Sequence, residues 1–119
     1  MQQNNIIQNP FSIVQYNCSW SALKDQIQEI LHHTPNRYKM AYHNEDEQKI
    51  ILFTSLDFNV FGKERITVIY ISKIDSCTSQ SILAFEAKNY TGDITTKEDF
   101  ERGQYHIDIL AEDMMQLYC

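Results

Sequence analysis

Residues 95–119, TTKEDFERGQYHIDILAEDMMQLYC, place the strongest constraint on the architecture of this chain. The apolar residues of this stretch recur at alternating spacings of three and four, which puts them on one stripe of a long amphipathic helix. Thr95 and Thr96 each precede an acid by three positions, as at a capped helix start. The stripe must be covered by the preceding part of the chain, and it consists of Phe100, Gly103, Ile107, Leu110, Met114 and Leu117.

The opposite side of this helix is charged and is expected to face water. Between residues 93 and 113 the chain has seven acids and two bases, within a net charge of −6. This balance argues against binding to nucleic acid or to an anionic membrane surface, since both need clustered lysine and arginine. It suits a basic protein partner, with Asp108 and Glu112 as candidate contacts, or simply a solvated face that keeps the protein soluble. The charged residues are Glu101, Arg102, Asp108, Glu112 and Asp113.

The upstream pattern predicts one strand, one helix and then four strands. Residues 11–16 resemble a short strand, and an apolar stripe over residues 20–31 predicts a helix. Short polar turns join the later strands, which implies antiparallel pairing. The four later strands are expected at residues 38–42, 49–55, 65–72 and 81–88.

The order β-α-β-β-β-β-α predicts the α+β class, with a single antiparallel sheet of four to five strands packed by two helices. We expect one domain over residues 11–119, preceded by a flexible arm at residues 1–10. Residues 56–62 alternate apolar and polar residues, so they either extend the second of the four strands or form a connecting loop.

Size and cysteine content indicate the compartment. A chain of 119 residues with 43% hydrophobic residues can build a core without a disulfide or a metal. Its three cysteines are widely spaced and fit neither a zinc motif nor a disulfide framework. No signal peptide and no apolar run of membrane-spanning length is apparent. We therefore expect a cytoplasmic protein with reduced thiols.

Known catalytic signatures are absent, so we expect no enzyme activity, no cofactor and no metal. With three glycines the chain has no phosphate-binding loop. His32 and His33 point about 100° apart on a helix, so they are poorly placed to bind one metal ion together. Their position at the helix C-terminus is favourable instead because imidazoles interact well with the negative end of the helix dipole. One enzymatic hypothesis stays open, in which Cys18 or Cys77 acts with His106 in a cysteine–histidine arrangement.

Aromatic residues give the main indication of a binding site. The chain has six phenylalanines, seven tyrosines and one tryptophan, and many fall in the predicted sheet. If the outer face of the sheet is open, some of them form an exposed patch that marks a partner or ligand site. Alternatively, the sheet curls around the helix and encloses them. The candidate surface residues are Tyr38, Tyr42, Phe58, Phe61 and Tyr70.

Gly103 is a further candidate, because glycine costs a helix about 1 kcal/mol relative to alanine. A glycine on the buried stripe indicates a close approach of another element, either in plain packing or around a ligand that occupies the notch.

The order of elements resembles a shortened helix-grip layout, the Bet v 1-like (START-related) arrangement, over residues 20–31, 55–72 and 96–117. This resemblance implies a curved sheet around the C-terminal helix, although full-sized members have more strands and a roomy apolar cavity. The layout is also similar to that of small acidic secretion chaperones, which are dimers that bind unfolded effector segments. Those chaperones place a helix where residues 73–80 are too few to form one.

Two functional hypotheses lead. The first is a small acidic, non-enzymatic protein-binding module of the inhibitor, immunity, adaptor or chaperone type. The second is a carrier of a small apolar ligand or lipid, held between the sheet and the C-terminal helix near Gly103, Met114 and Met115. A homodimer formed through a sheet face or an edge strand, such as residues 38–42, is also expected.

Overall fold

The protein is seen in a computed structural model that describes residues 8–35, 37–44, 46, 48–54 and 66–115. The described chain forms one antiparallel five-stranded sheet and two helices, which confirms the predicted fold class and element order. No helix in these ranges is long and apolar enough to cross a membrane. The elements are β1 (Phe11–Tyr16), α1 (Trp20–His33), β2 (Tyr38–Asn44), β3 (Lys49–Thr54), β4 (Thr67–Ser76), β5 (Ser81–Asn89) and α2 (Lys97–Met114).

Strands β2 to β5 form a meander, and β1 joins it beside β5, giving the order β1-β5-β4-β3-β2. Among the described residues, strands β1 and β2 are therefore the two edges of the sheet. The register of β1 with β5 runs without interruption, from Phe11 opposite Glu86 to Tyr16 opposite Ser81. By contrast, β2 has an irregularity between Met40 and Tyr42.

Both helices cover the same face of the sheet. The strands accordingly alternate buried residues on that face with less buried residues on the other. In β5, the residues that face the helices are fully buried and alternate with half-buried residues on the other face. Helix α2 lies across β5, β4 and β1, whereas α1 contacts α2 and β2. Side chains of the resulting core with no exposed surface include Leu23, Ile27, Leu52, Ile69, Ile71, Leu83, Phe85, Ile107 and Leu110.

Each helix begins at a capping hydroxyl. Ser19 Oγ accepts a hydrogen bond from Ala22 N at 3.1 Å, and Thr96 Oγ1 accepts one from Asp99 N at 3.1 Å. Of the two helix starts that the sequence offered, the chain uses Thr96. The stripe residue Leu117 lies outside the described residues.

Arg102 corrects the predicted polar face of the C-terminal helix. It was expected to face water, yet only 8% of it is exposed. Its guanidinium pairs with the carboxylate of Asp99, one turn earlier and itself 9% exposed. The charge pattern alone could not indicate this, since a buried ion pair and a solvated charged face have the same composition.

The N-terminal arm is fastened at its last residues. Asn9 donates to Asp93 Oδ1 at 3.1 Å and accepts from Ile94 N at 2.8 Å, and Pro10 O accepts from Ala87 N at 3.1 Å. Residues 1–7 of the arm lie outside the described residues.

Cys18 corrects the expectation that no disulfide is present. It is buried and disulfide-bonded. The sequence argument failed here because an odd cysteine count leaves room for one bridge beside a free thiol. That thiol belongs to Cys77, which is exposed in the turn between β4 and β5.

Candidate functional site

The face of the sheet opposite the helices carries an open apolar groove across β2, β3 and β4. The groove measures ≈ 490 Å³. Its side chains come from the strand positions that alternate with the core, so the same strands that bury Ile50 and Leu52 present Ile51 and Phe53 to this side. The lining consists of Ala41, Tyr42, Lys49, Ile51, Phe53, Val68, Tyr70 and Tyr90.

Aromatic rings set the shape of the groove. The rings of Phe53 and Tyr90 meet edge to face, with centroids 5.4 Å apart and planes at 80°. Because Tyr90 follows directly after β5, its ring comes from beyond the strand end, and more than half of it is exposed. Tyr70 is half-buried, and the Lys88 ammonium lies 5.3 Å from its ring centroid. These contacts hold rings at the surface rather than in the core.

Lysines surround the groove although the protein as a whole is acidic. Lys49 lines the groove, Lys88 lies over Tyr70, and Lys39 stands opposite Phe53 on the β2 edge. Asp93 partly offsets Lys88, with a carboxylate oxygen 3.7 Å from the ammonium. The groove therefore combines apolar rings with positive charge, which is the arrangement expected for an apolar group next to an anion.

Further apolar side chains are exposed on this face towards β1. Phe11 and Ile13 are 56% and 59% exposed and lie on the same face as Tyr70, next to the half-buried Ala84 of β5. The half-buried Glu86 of β5 stands opposite both Tyr70 and Phe11, so a charged side chain separates Phe11 from the groove.

A second, more polar cavity of ≈ 380 Å³ lies beside the start of α2 and shares Tyr90 with the groove. At its base, Asn89 Nδ2 donates to Asp99 Oδ2 at 3.0 Å, and Arg102 donates to the other carboxylate oxygen. Burial works against ionisation of Asp99, but these two hydrogen bonds and the charge of Arg102 outweigh it and hold the pKa of Asp99 below its usual value. A carboxylate kept ionised in this way anchors the helix start and is a poor general base.

The residues predicted from the sequence as a binding surface do not form one cluster. Tyr42 and Tyr70 line the groove. Tyr38 is 2% exposed and lies in the core, where burial raises its pKa to about 12. Asp108 and Glu112 are exposed on α2, in the other layer of the molecule. Phe58 and Phe61 lie outside the described residues.

Gly103 marks tight packing rather than a notch for a ligand. A Cβ atom at this position would lie 3.0 Å from Ala87 Cβ, 3.1 Å from Pro10 Cγ and 3.3 Å from Ile94 Cδ1. Those neighbours already fill the space between α2 and β5.

The cysteine–histidine hypothesis loses one of its two thiols, because Cys18 is disulfide-bonded. Hydrogen bonds from Ser79 and Gln80 lower the pKa of the remaining Cys77 thiol. Cys77 is exposed in a turn, whereas His106 is fully buried in the middle of α2. A fully buried imidazole has no access to an exposed thiol, so the two do not form a catalytic pair.

Phe53 and Tyr90 line the groove and Lys88 lies over the ring of Tyr70, but none of the three was among the predicted site residues. Phe53 ends a contiguous apolar run, Ile50 to Phe53, in which periodicity could not separate the two faces. Strand alternation could have assigned Phe53 to the open face, since it lies opposite to the core face once Ile50 and Leu52 are placed in the core. Tyr90 gave no signal, because it stands outside every predicted strand.

Comparison with known proteins gives a fold but no family. No protein-family model and no curated protein matches the chain. The fold is similar to that in a crystal structure of the quaternary ammonium Rieske monooxygenase CntA in complex with inhibitor MMV12. The TM-score is 0.54 at 7% sequence identity, over 93% of this chain and 37% of the monooxygenase chain. At this identity the likeness concerns the fold alone.

This similarity contradicts the expectation that the chain is not an enzyme. The expectation rested on missing motifs, whereas an architecture similar to this one forms part of a monooxygenase. Missing motifs therefore cannot exclude enzymes for this fold, and the expectation is withdrawn. The chain spans little more than a third of that protein, and the likeness assigns it no reaction and no substrate.

A metal centre of the Rieske type does not fit the described residues. Such a centre takes two cysteine and two histidine ligands. Within the described ranges, no three side chains of histidine, cysteine, aspartate or glutamate come close enough together to hold a metal ion.

Proposed function

We propose that the protein is a protein-binding module that holds a segment of its partner against the outer face of the sheet. One observation carries the proposal: the open groove that Tyr42, Phe53, Tyr70 and Tyr90 line on that face. Tyrosine and phenylalanine at a surface supply contact area at low entropic cost, and they are enriched at protein interfaces.

Charge indicates which segment the groove prefers. Lys49 and Lys88 border the aromatic rings, so a segment with apolar side chains and at least one acid complements the groove. A basic partner would instead meet the acidic side of α2 at Asp108 and Glu112, in the opposite layer. One flat partner cannot cover both layers, and the aromatic groove offers more apolar area for stable binding.

The alternative function is a carrier of a small apolar ligand, with the groove as the site. Its volume of ≈ 490 Å³ falls within the roughly 300–1,000 Å³ typical of ligand pockets. In this alternative the ligand lies on the outer face and not, as predicted from the sequence, between the sheet and the C-terminal helix. The close packing around Gly103 leaves no room for it between α2 and β5.

Site-specific photo-crosslinking tests the proposal. A photoreactive phenylalanine analogue replaces Tyr42 in the groove or, as the control, Tyr105, which is 56% exposed on α2. We expect a discrete protein adduct from position 42 in the native cells and none from position 105. The purified partner should then bind the Tyr42→Ala variant at least about tenfold more weakly than the wild type, a loss typical of an interface aromatic.

Other outcomes are also decisive. Adducts from position 105 alone would move the interface to the helices and refute the proposal. A small molecule released on denaturation, and lost in the Tyr42→Ala variant, would favour the carrier alternative.

A further inference from the structure

The two edge strands of the sheet differ in how well they are protected from further pairing. Strand β2 has an irregular register between Met40 and Tyr42 and carries the exposed Lys39, and both features hinder edge-to-edge association. Strand β1 keeps an unbroken register with β5 and contains no charged residue. A regular, uncharged and exposed edge is the type of strand that accepts another strand.

Hydrogen bonding shows which backbone groups of β1 face outward. Pro10 O accepts from Ala87 N, so this pair belongs to the hydrogen-bonded positions of the antiparallel ladder. Because these positions alternate, Ser12 and Val14 also direct their N–H and C=O groups towards β5. Phe11, Ile13 and Gln15 therefore direct theirs to the free edge.

We propose that β1 pairs with β1 of a second copy of this chain, antiparallel and about a two-fold axis at Ile13. Residues opposite each other in a sheet share a face, so this register sets Ile13 against Ile13 and Phe11 against Gln15. All three outward residues of each copy then exchange hydrogen bonds, giving about six between the chains. The two sheets become one continuous sheet with both helix layers on the same side.

The strand itself favours a second copy as the occupant. About a two-fold axis at Ile13, which is 59% exposed, each outward residue of one strand meets an outward residue of the other, so a second copy pairs with the whole free edge. Phe11, 56% exposed, gains cover from the aliphatic part of Gln15. The pairing extends the open apolar face across the axis and leaves the groove at the other edge unobstructed.

The acidic side of α2 predicts how salt acts on the dimer. Gln104 Nε2 lies 3.4 Å from Ser12 Oγ of β1 and donates to Asp108 Oδ1 at 2.9 Å, which places Asp108 on the β1 side of the helix. In the dimer, acids of the two copies approach each other across the axis. Salt screens this repulsion, so higher ionic strength should strengthen the association.

Analytical ultracentrifugation of the full chain over a concentration series tests the proposal. We expect a reversible dimer with a dissociation constant in the roughly micromolar to millimolar range, as for a short interface. Ile13→Lys should weaken it at least about tenfold, because it places two charges together at the axis. Tyr42→Lys, the matched change on the opposite edge, should leave it unchanged.

Amide hydrogen exchange gives a residue-level readout that does not depend on variant folding. Raising the protein concentration should slow exchange at Phe11, Ile13 and Gln15, whereas Ser12 and Val14 are already bonded to β5 and should not change. A chain that stays monomeric at about 1 mM would overturn the proposal. So would a dimer that Tyr42→Lys abolishes, or one that salt dissociates.

Discussion

The two faces of this sheet are built from similar residues but differ in how far those residues are exposed to solvent. On the covered face Phe85 has no exposed surface, while on the open face Phe53 and Tyr70 remain half-buried. Strand β2 contains both cases within five residues, since Tyr38 is 2% exposed and Tyr42 is 40% exposed. Side-chain chemistry therefore does not separate core from site in this protein, whereas position relative to the helices does.

Truncating one phenylalanine on each face should give the largest contrast. Phe85→Ala removes a ring packed under α2 and should lower the free energy of unfolding by about 3–5 kcal/mol. Phe53→Ala removes a half-buried ring and should cost roughly 1 kcal/mol. Urea unfolding followed by circular dichroism measures both. Equal losses in the free energy of unfolding would mean that the outer face is also packed as a core. The groove would then not be an open binding site.

Replacing Asp99 tests the buried ion pair that it forms with Arg102 on the helix side. Asp99→Asn removes the carboxylate charge that pairs with the Arg102 guanidinium, which is 8% exposed, and should cost about 2–3 kcal/mol at neutral pH. Because the pKa of Asp99 in the fold lies below its ordinary value of 3.8, the stabilisation is present above pH 3.8 and is lost as the pH falls towards the folded pKa.

Acid titration of stability separates this effect from a simple packing loss. The wild type should lose stability more steeply below about pH 4 than Asp99→Asn does. Asp108→Asn is the control, because Asp108 is exposed on α2 and accepts a hydrogen bond from the neutral Gln104 side chain. Parallel acid profiles of the wild type and Asp99→Asn would show that the pair adds nothing to stability.

The covered face could be predicted from the sequence, and the open face only in part. The spacing of Phe100, Ile107 and Leu110 predicted an amphipathic helix whose apolar side must pack against the sheet. This requirement predicted the α+β architecture. Tyr42 and Tyr70 were also assigned to a surface that the structure joins into one groove. Arg102 was misplaced, because its partner Asp99 lies one turn away on the same helix and a charge pattern does not report burial.

Tyr38 was assigned to the surface because strand alternation puts it on the same face as Tyr42. The irregularity after Met40 breaks that rule and sends the two rings to opposite faces. A bulge has no clear sequence signature, so this part of the site could not be derived in advance. The same irregularity supplies the most direct comparison between the two faces.

Alkaline titration tests that comparison within one strand. Burial raises the pKa of Tyr38 from 10.0 to about 12, so its neutral form stabilises the fold up to pH 10, and this contribution is lost as the pH rises towards 12. Tyr38→Phe should therefore reduce the alkaline loss of stability by roughly 1–2 kcal/mol. An alkaline loss in Tyr38→Phe as large as that of the wild type would contradict the burial of this side chain.

Gly103→Ala should give the smallest effect, and it tests how tightly the covered face is packed. Alanine favours the helix by about 1 kcal/mol. Its methyl group, however, would lie 3.0 Å from Ala87 Cβ, which is fixed on β5, and 3.1 Å from the ring of Pro10. Overpacking of this kind costs about 1–3 kcal/mol, so the net loss should be about 1 kcal/mol.

The sign of that change is the informative result. Glu101→Ala, on the exposed side of α2, reports alanine in the same helix without the close contacts and should be nearly neutral. If Gly103→Ala stabilises the protein instead, then α2 can move away from β5, and space for a ligand between the helix and the sheet becomes available again. The open face would then no longer be the better location for an apolar ligand. Both the groove on that face and the space between α2 and β5 could hold one.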